Sequence, residues 1–63
     1  MTGMITNTDK LQCAERELRF RRRVYAERVA DGRMTVKQRD REIKLMEAIA
    51  EDYRKAVEAE RLL

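Results

Sequence analysis

Glu47, Glu51 and Glu58 stand at i, i+4 and i+11, a spacing that lines carboxylates along one strip of a helix. Such a strip can hold a divalent cation loosely through oxygen ligands. Di-metal helical bundles add Glu-x-x-His motifs, and this chain has no His. Arg16, Arg19 and Arg23 form a second strip, and Lys37, Arg41 and Lys44 a third. An Arg fork donates two parallel hydrogen bonds to a phosphate, so these six are the candidate nucleic-acid contacts. Binding a phosphate backbone needs only such a stripe and weakens steeply with salt. Against this, acidic residues interleave with the basic ones, and there is no aromatic stacking platform.

Other chemistry is missing. The sequence contains neither His nor Ser, so the common hydrolase triads cannot be built. No Gly-rich phosphate loop occurs. Cys13 is the one thiol. It has no His to activate it and reads as a small buried hydrophobe. One Cys and no His leave no zinc set of the Cys/His kind. Tyr25 and Tyr53 fall on apolar stripes and read as packing residues with a wet hydroxyl. The expectation is a protein that is not an enzyme and takes no cofactor or metal.

The elements that carry these residues must come from only 63 residues, 43% of them charged and 43% hydrophobic. Chains this short rarely bury enough apolar surface to fold on one core unaided. A lone Cys cannot make an internal disulfide, so oligomerisation is the remedy left. The apolar content is too high for a disordered tail. No apolar run reaches the roughly 20 residues that span a bilayer. The start, Met1 to Lys10, is polar and lacks a signal-peptide core. A single thiol and no export signal point to a reducing, cytoplasmic setting.

The chain has no Pro and is rich in Ala, Glu, Arg, Leu, Lys and Met, a composition that favours long helices. One domain over 1–63 is expected, with a flexible tail at 1–7 and helix one at 8–31. A turn at 32–35 then leads to helix two at 36–62. Asn7 or Thr8 can cap helix one, and Asp9 suits the positive end of its dipole. Gly32 supplies a left-handed C-terminal residue. Thr35-Val36-Lys37-Gln38 matches a capping box. So short a connection returns the chain antiparallel. A DNA-binding helix-turn-helix is excluded, because it needs shorter helices and a third to close its core.

Leu11, Ala14, Leu18, Tyr25 and Val29 share one face of helix one. Val36, Ile43, Met46, Ala50, Tyr53 and Val57 share one face of helix two, interrupted by Arg39. These faces pack the hairpin together. Each helix carries a second, smaller stripe roughly opposite the first: Cys13, Phe20 and Val24 in one, Leu45, Ile49 and Ala56 in the other. An isolated hairpin leaves that stripe in water, and contiguous exposed apolar patches usually mark contacts. The alternative is scattered surface apolars, which are common, but helical spacing speaks against it. The expected fold is therefore all-α: an antiparallel hairpin that oligomerises, most simply as a two-fold dimer, into a four-helix bundle.

Charge is laid out unevenly. Between Arg16 and Met46 lie 11 basic and five acidic residues, and the rest of the chain carries four basic and seven acidic. In a hairpin the half near the turn is basic and the open end acidic. Two such hairpins placed antiparallel set each positive half beside a negative one. Helix-spaced pairs (Glu15–Arg19, Glu17–Arg21, Asp40–Lys44 and Glu51–Lys55) each add a few tenths of a kcal/mol. Arg21 and Arg28 flank the first stripe and can lay their methylenes along it with wet guanidinium groups.

Three stretches, Cys13–Tyr25 (CAERELRFRRRVY), Gly32–Thr35 (GRMT) and Arg41–Arg54 (REIKLMEAIAEDYR), resemble small uncharacterised proteins encoded in bacteriophages and prophages. The likeness runs over roughly two-thirds of the chain. It implies the cytoplasm of a bacterial host and brings no activity or site. In architecture alone the chain is also similar to plasmid copy-number RNA modulators of the Rop type, without a shared sequence motif. The favoured reading is a homo-oligomeric hairpin acting by contact, with itself and an unidentified protein as partners and no membrane. The alternative is a small nucleic-acid-binding accessory protein using the outward Arg and Lys strips.

Overall fold

The computed structural model describes residues 3–62 of the chain. It is 83% helical, and the two helices pack against each other. Helix α1 spans Asn7–Ala30 and helix α2 spans Val36–Arg61. Met1 and Thr2 of the expected tail lie outside the described residues. The tail also ends earlier than the sequence suggested, because Asn7 is already helical.

Helix α1 is capped by Thr6, not by Asn7 or Thr8. Its hydroxyl accepts from the Asp9 backbone N–H at 3.0 Å, and the Asp9 carboxylate accepts from the Thr6 N–H at 3.0 Å. This is a reciprocal capping box with Asp in place of Glu or Gln. Thr6 wins because the arrangement satisfies two orphan donors at once. Asn7 is then free to donate its side-chain amide to Glu60 Oε1 at 2.6 Å, tying the start of α1 to the end of α2.

The other end of α1 closes in a Schellman turn. Arg33 N–H donates to the Arg28 carbonyl at 2.8 Å, and Gly32 N–H donates to Val29 at 3.1 Å. Gly32 has φ +76, a conformation cheap only for glycine. Thr35 and Gln38 then form the second capping box, with both bonds near 3 Å: 2.9 Å and 3.0 Å.

Ala14, Met46 and Ala50 form the buried core, with Leu18 and Tyr53 packed against it. Two of these three are alanines, so the helices lie close and enclose little side-chain volume. Among the described residues no large side chain is fully buried. Val36, expected on the seam, is 51% exposed. Helical side chains lean toward the N-terminus, so Val36, as the first residue of α2, projects past the end of its helix and away from the seam.

The hairpin is a thin plate of 47 × 28 × 11 Å. Its accessible surface is 5206 Å², against about 4200 Å² for a compact monomer of this mass. The radius of gyration is 14.7 Å, where a compact domain of this length averages about 11 Å. No helix of the described residues is long and apolar enough to cross a membrane.

Candidate interaction surface

Rotation at about 100° per residue puts Cys13, Phe20 and Val24 roughly a quarter to a third of a turn from Ala14. The second stripe is therefore on the flank of α1, not opposite the seam. Ile49, Leu45 and Ala56 hold the matching flank of α2. Antiparallel packing turns both flanks to the same side, so the two minor stripes become one broad apolar face. An open groove runs along it, floored and walled by Cys13, Ala14, Glu17, Met46, Ile49 and Tyr53. Asp9 and Lys10 stand at its outer end.

Exposure along this face is uneven. Phe20 is 44% exposed, Leu45 46% and Ile49 38%. Cys13 is exposed too, which corrects the expectation of a buried thiol. Its flank position keeps it off the seam in the single hairpin. Val24 and Ala56 are half-buried. The Arg23 guanidinium sits 6.0 Å from the Phe20 ring centroid, at the outer limit of a cation–π contact.

The opposite face is charged. Arg22 meets Glu47 across the helices at 2.9 Å, and Arg54 pairs with Glu51 along α2. The carboxylates of Glu47 and Glu51 are thus engaged by arginines. No cluster of three or more metal-ligating side chains occurs among the described residues, so the proposed Glu47, Glu51 and Glu58 cation strip does not assemble.

One polar contact lies close to the seam. Arg21 Nε donates to Glu17 Oε2 at 2.9 Å, and Nη1 donates to the Glu42 backbone carbonyl at 3.0 Å. The Arg21 side chain is 20% exposed. Its guanidinium also lies 5.9 Å from the Tyr25 ring, with that of Arg28 at 5.3 Å. The sequence placed Arg21 beside the stripe for its methylenes, but not its bond to the backbone of α2. No periodicity argument can find a bond whose acceptor is a carbonyl on another helix. Of the four helix-spaced ion pairs expected, Glu17–Arg21 forms. Asp40 instead pairs with the adjacent Arg39 at 3.0 Å.

Arg16, Arg19, Arg23, Lys37, Arg41 and Lys44 are all exposed. Among the described residues none of the six makes an ion pair. The hairpin does not bring them together. By rotation both strips point away from the seam, so the α1 strip and the α2 strip lie on opposite long edges of the plate. Lys37, Arg41 and Lys44 share a shallow surface with Val36 and Asp40.

No known protein family, curated protein or solved structure matches this chain.

Proposed function

We propose that this protein is a non-enzymatic helical hairpin that works by contact, and that its apolar face is where it associates with further copies of itself to complete a four-helix bundle. The observation that carries the reading is the pairing of a core made of Ala14, Met46 and Ala50 with a face that leaves Phe20, Leu45 and Ile49 in water. Two of the three core side chains are alanines, while three large apolar side chains lie outside. Covering what remains exposed of each of the three is worth about 1 kcal/mol, which adds stabilisation that a chain this short otherwise lacks. A homo-oligomer in a bacterial or phage setting, serving as an interaction or regulatory accessory module, fits this surface. Sedimentation equilibrium tests it. A mass that is a multiple of 7.5 kDa supports association, and a folded single-chain species across the micromolar range overturns it.

A second reading is favoured by the six unpaired cations. Arg16, Arg19 and Arg23 on one edge and Lys37, Arg41 and Lys44 on the other are exposed and free of carboxylate partners among the described residues. Each strip suits the phosphates of a nucleic-acid backbone. Low-salt fluorescence anisotropy with duplex DNA and with RNA tests this reading. Non-specific binders reach about 10⁻⁴–10⁻⁶ M, and silence below about 100 μM overturns it.

A further inference from the structure

We infer that the occupant of the apolar face is one second copy of this chain, laid face to face with its turn at the opposite end, so that Phe20 of each copy seats in the Cys13–Ile49–Tyr53 groove of the other. This rests on the self-association reading and adds the number of copies, the orientation and the contact that fixes it.

Area argues for a second copy of equal size. The hairpin exposes about 1000 Å² more than a compact monomer of its mass, and a stable interface takes about 800 Å² from each partner. The outline of the hairpin, 47 by 28 Å, has room for that area. A two-fold axis makes such contacts self-complementary.

Charge sets the orientation. The turn-proximal half, Arg16 to Met46, holds 11 basic against five acidic residues, and the remainder holds seven acidic against four basic. Stacking with both turns at one end sets basic half on basic half. Stacking with the turns apart sets each basic half on an acidic one, which lowers the repulsion and selects against the parallel form.

Register then follows from the levels of the residues. The cross-helix contacts Arg21–Glu42, Lys10–Tyr53 and Asn7–Glu60 place Ile49 level with Arg16 and Leu45 level with Phe20. A two-fold axis across the helices near Ile49 centres the exposed apolar side chains. At 1.5 Å per residue, Phe20 stands about 6 Å to one side of that axis and Cys13 about 4.5 Å to the other. Phe20 of one copy therefore falls on the Cys13 side of the groove in the second. The Arg23 beside it is carried to the level of Asp9, the acidic group at the outer end of the groove.

Spin labels on the turn test the orientation. Arg33→Cys in a Cys13→Ala background puts one label on each exposed loop; Cys13→Ala trims one small side chain of the face, so the unchanged chain is sedimented beside it. Sedimentation of the labelled protein is read first, and pulsed dipolar spectroscopy second. A two-chain mass is expected, with a label separation of about 50 Å, twice the run of about 16 residues from Ile49 to the turn. A two-chain mass with labels closer than about 25 Å overturns the orientation and leaves self-association standing. A mass above two chains overturns the single-copy occupant. A single-chain mass for the unchanged chain removes both this inference and the reading it rests on.

Discussion

Arg21 reaches from α1 to the Glu42 carbonyl on α2 at 3.0 Å while holding Glu17 on its own helix at 2.9 Å. The seam around it is thin, so this half-buried fork contributes directional cohesion that small apolar side chains cannot. Hydrogen bonds to charged groups contribute more than neutral ones, but partial exposure of Glu17 and Glu42 screens the pairing. Arg21→Ala is expected to cost about 1–2 kcal/mol. Arg22→Ala, which breaks a pair with both partners about half exposed, is expected to cost no more than about 0.5 kcal/mol. Urea denaturation at one fixed protein concentration checks both. Equal losses would show that Arg21 holds nothing its neighbour does not.

Close approach at Ala14 and Ala50 makes a second prediction. Ala50 is 1% exposed and Ala14 4%, so a larger side chain has nowhere to go without parting the helices. Ala50→Leu should destabilise by about 1–3 kcal/mol, the usual cost of overpacking. The same change at the exposed Ala48 should be nearly neutral. The comparison of denaturation midpoints decides it, and a stabilised Ala50→Leu variant would mean that the seam is looser than described.

Backbone geometry at the turn gives a third. A Cβ on Gly32 would meet nothing within 4 Å, yet the residue has φ +76. Gly32→Ala is therefore strained through its backbone alone and should cost about 1 kcal/mol. Gly32→Asn should cost less, because Asn tolerates the left-handed region. Thr35→Ala removes a cap and should cost about 1 kcal/mol as well. Thermal melts followed by circular dichroism report all three.

Much of the fold is legible in the sequence, for reasons that differ by element. Gly32 and the Thr35–Gln38 box are local signals, each satisfied within a few residues, and both sit where the pattern put them. The sequence points to Asn7 or Thr8 for the first cap, because in Thr6-x-x-Asp9 a shorter acid stands where the usual box has Glu or Gln. The faces were harder. Spacing identifies Phe20, Leu45 and Ile49 as a second stripe, and its place on the flank follows by rotation from Ala14 and Ala50, the residues that prove to be the seam. Only the antiparallel packing turns two flank stripes into one face. The Arg strips show the converse. Each is plain in the sequence, but their separation onto opposite edges is a property of the pair.

The apolar face yields a fourth prediction. Phe20→Glu removes the covering of a ring that is 44% exposed in the hairpin, worth about 1 kcal/mol, and puts a charge in its place, and a two-fold assembly suffers the change twice. At 1.4 kcal/mol per tenfold, the dissociation constant should rise by about 100-fold or more. Ala26→Glu, an exposed position on the other flank of α1, should leave it within a few-fold. Sedimentation velocity over a dilution series separates the two, and an unaltered Phe20→Glu assembly would place the contact elsewhere.

The last prediction concerns the edges. Replacing Arg16, Arg19 and Arg23 together by Glu reverses the α1 strip without entering the seam, since all three side chains are exposed and point outward. If phosphates are bound there, affinity should fall for every nucleic-acid sequence alike, and the salt dependence of what remains should flatten. The log–log slope drops by about 0.9 for each lost contact with duplex DNA. A Lys37, Arg41 and Lys44 reversal reads the other edge by the same slope. An assembly acting through its apolar face alone should bind no nucleic acid before either change. Anisotropy titrations at several salt concentrations, run beside sedimentation of the same variants, tell these outcomes apart.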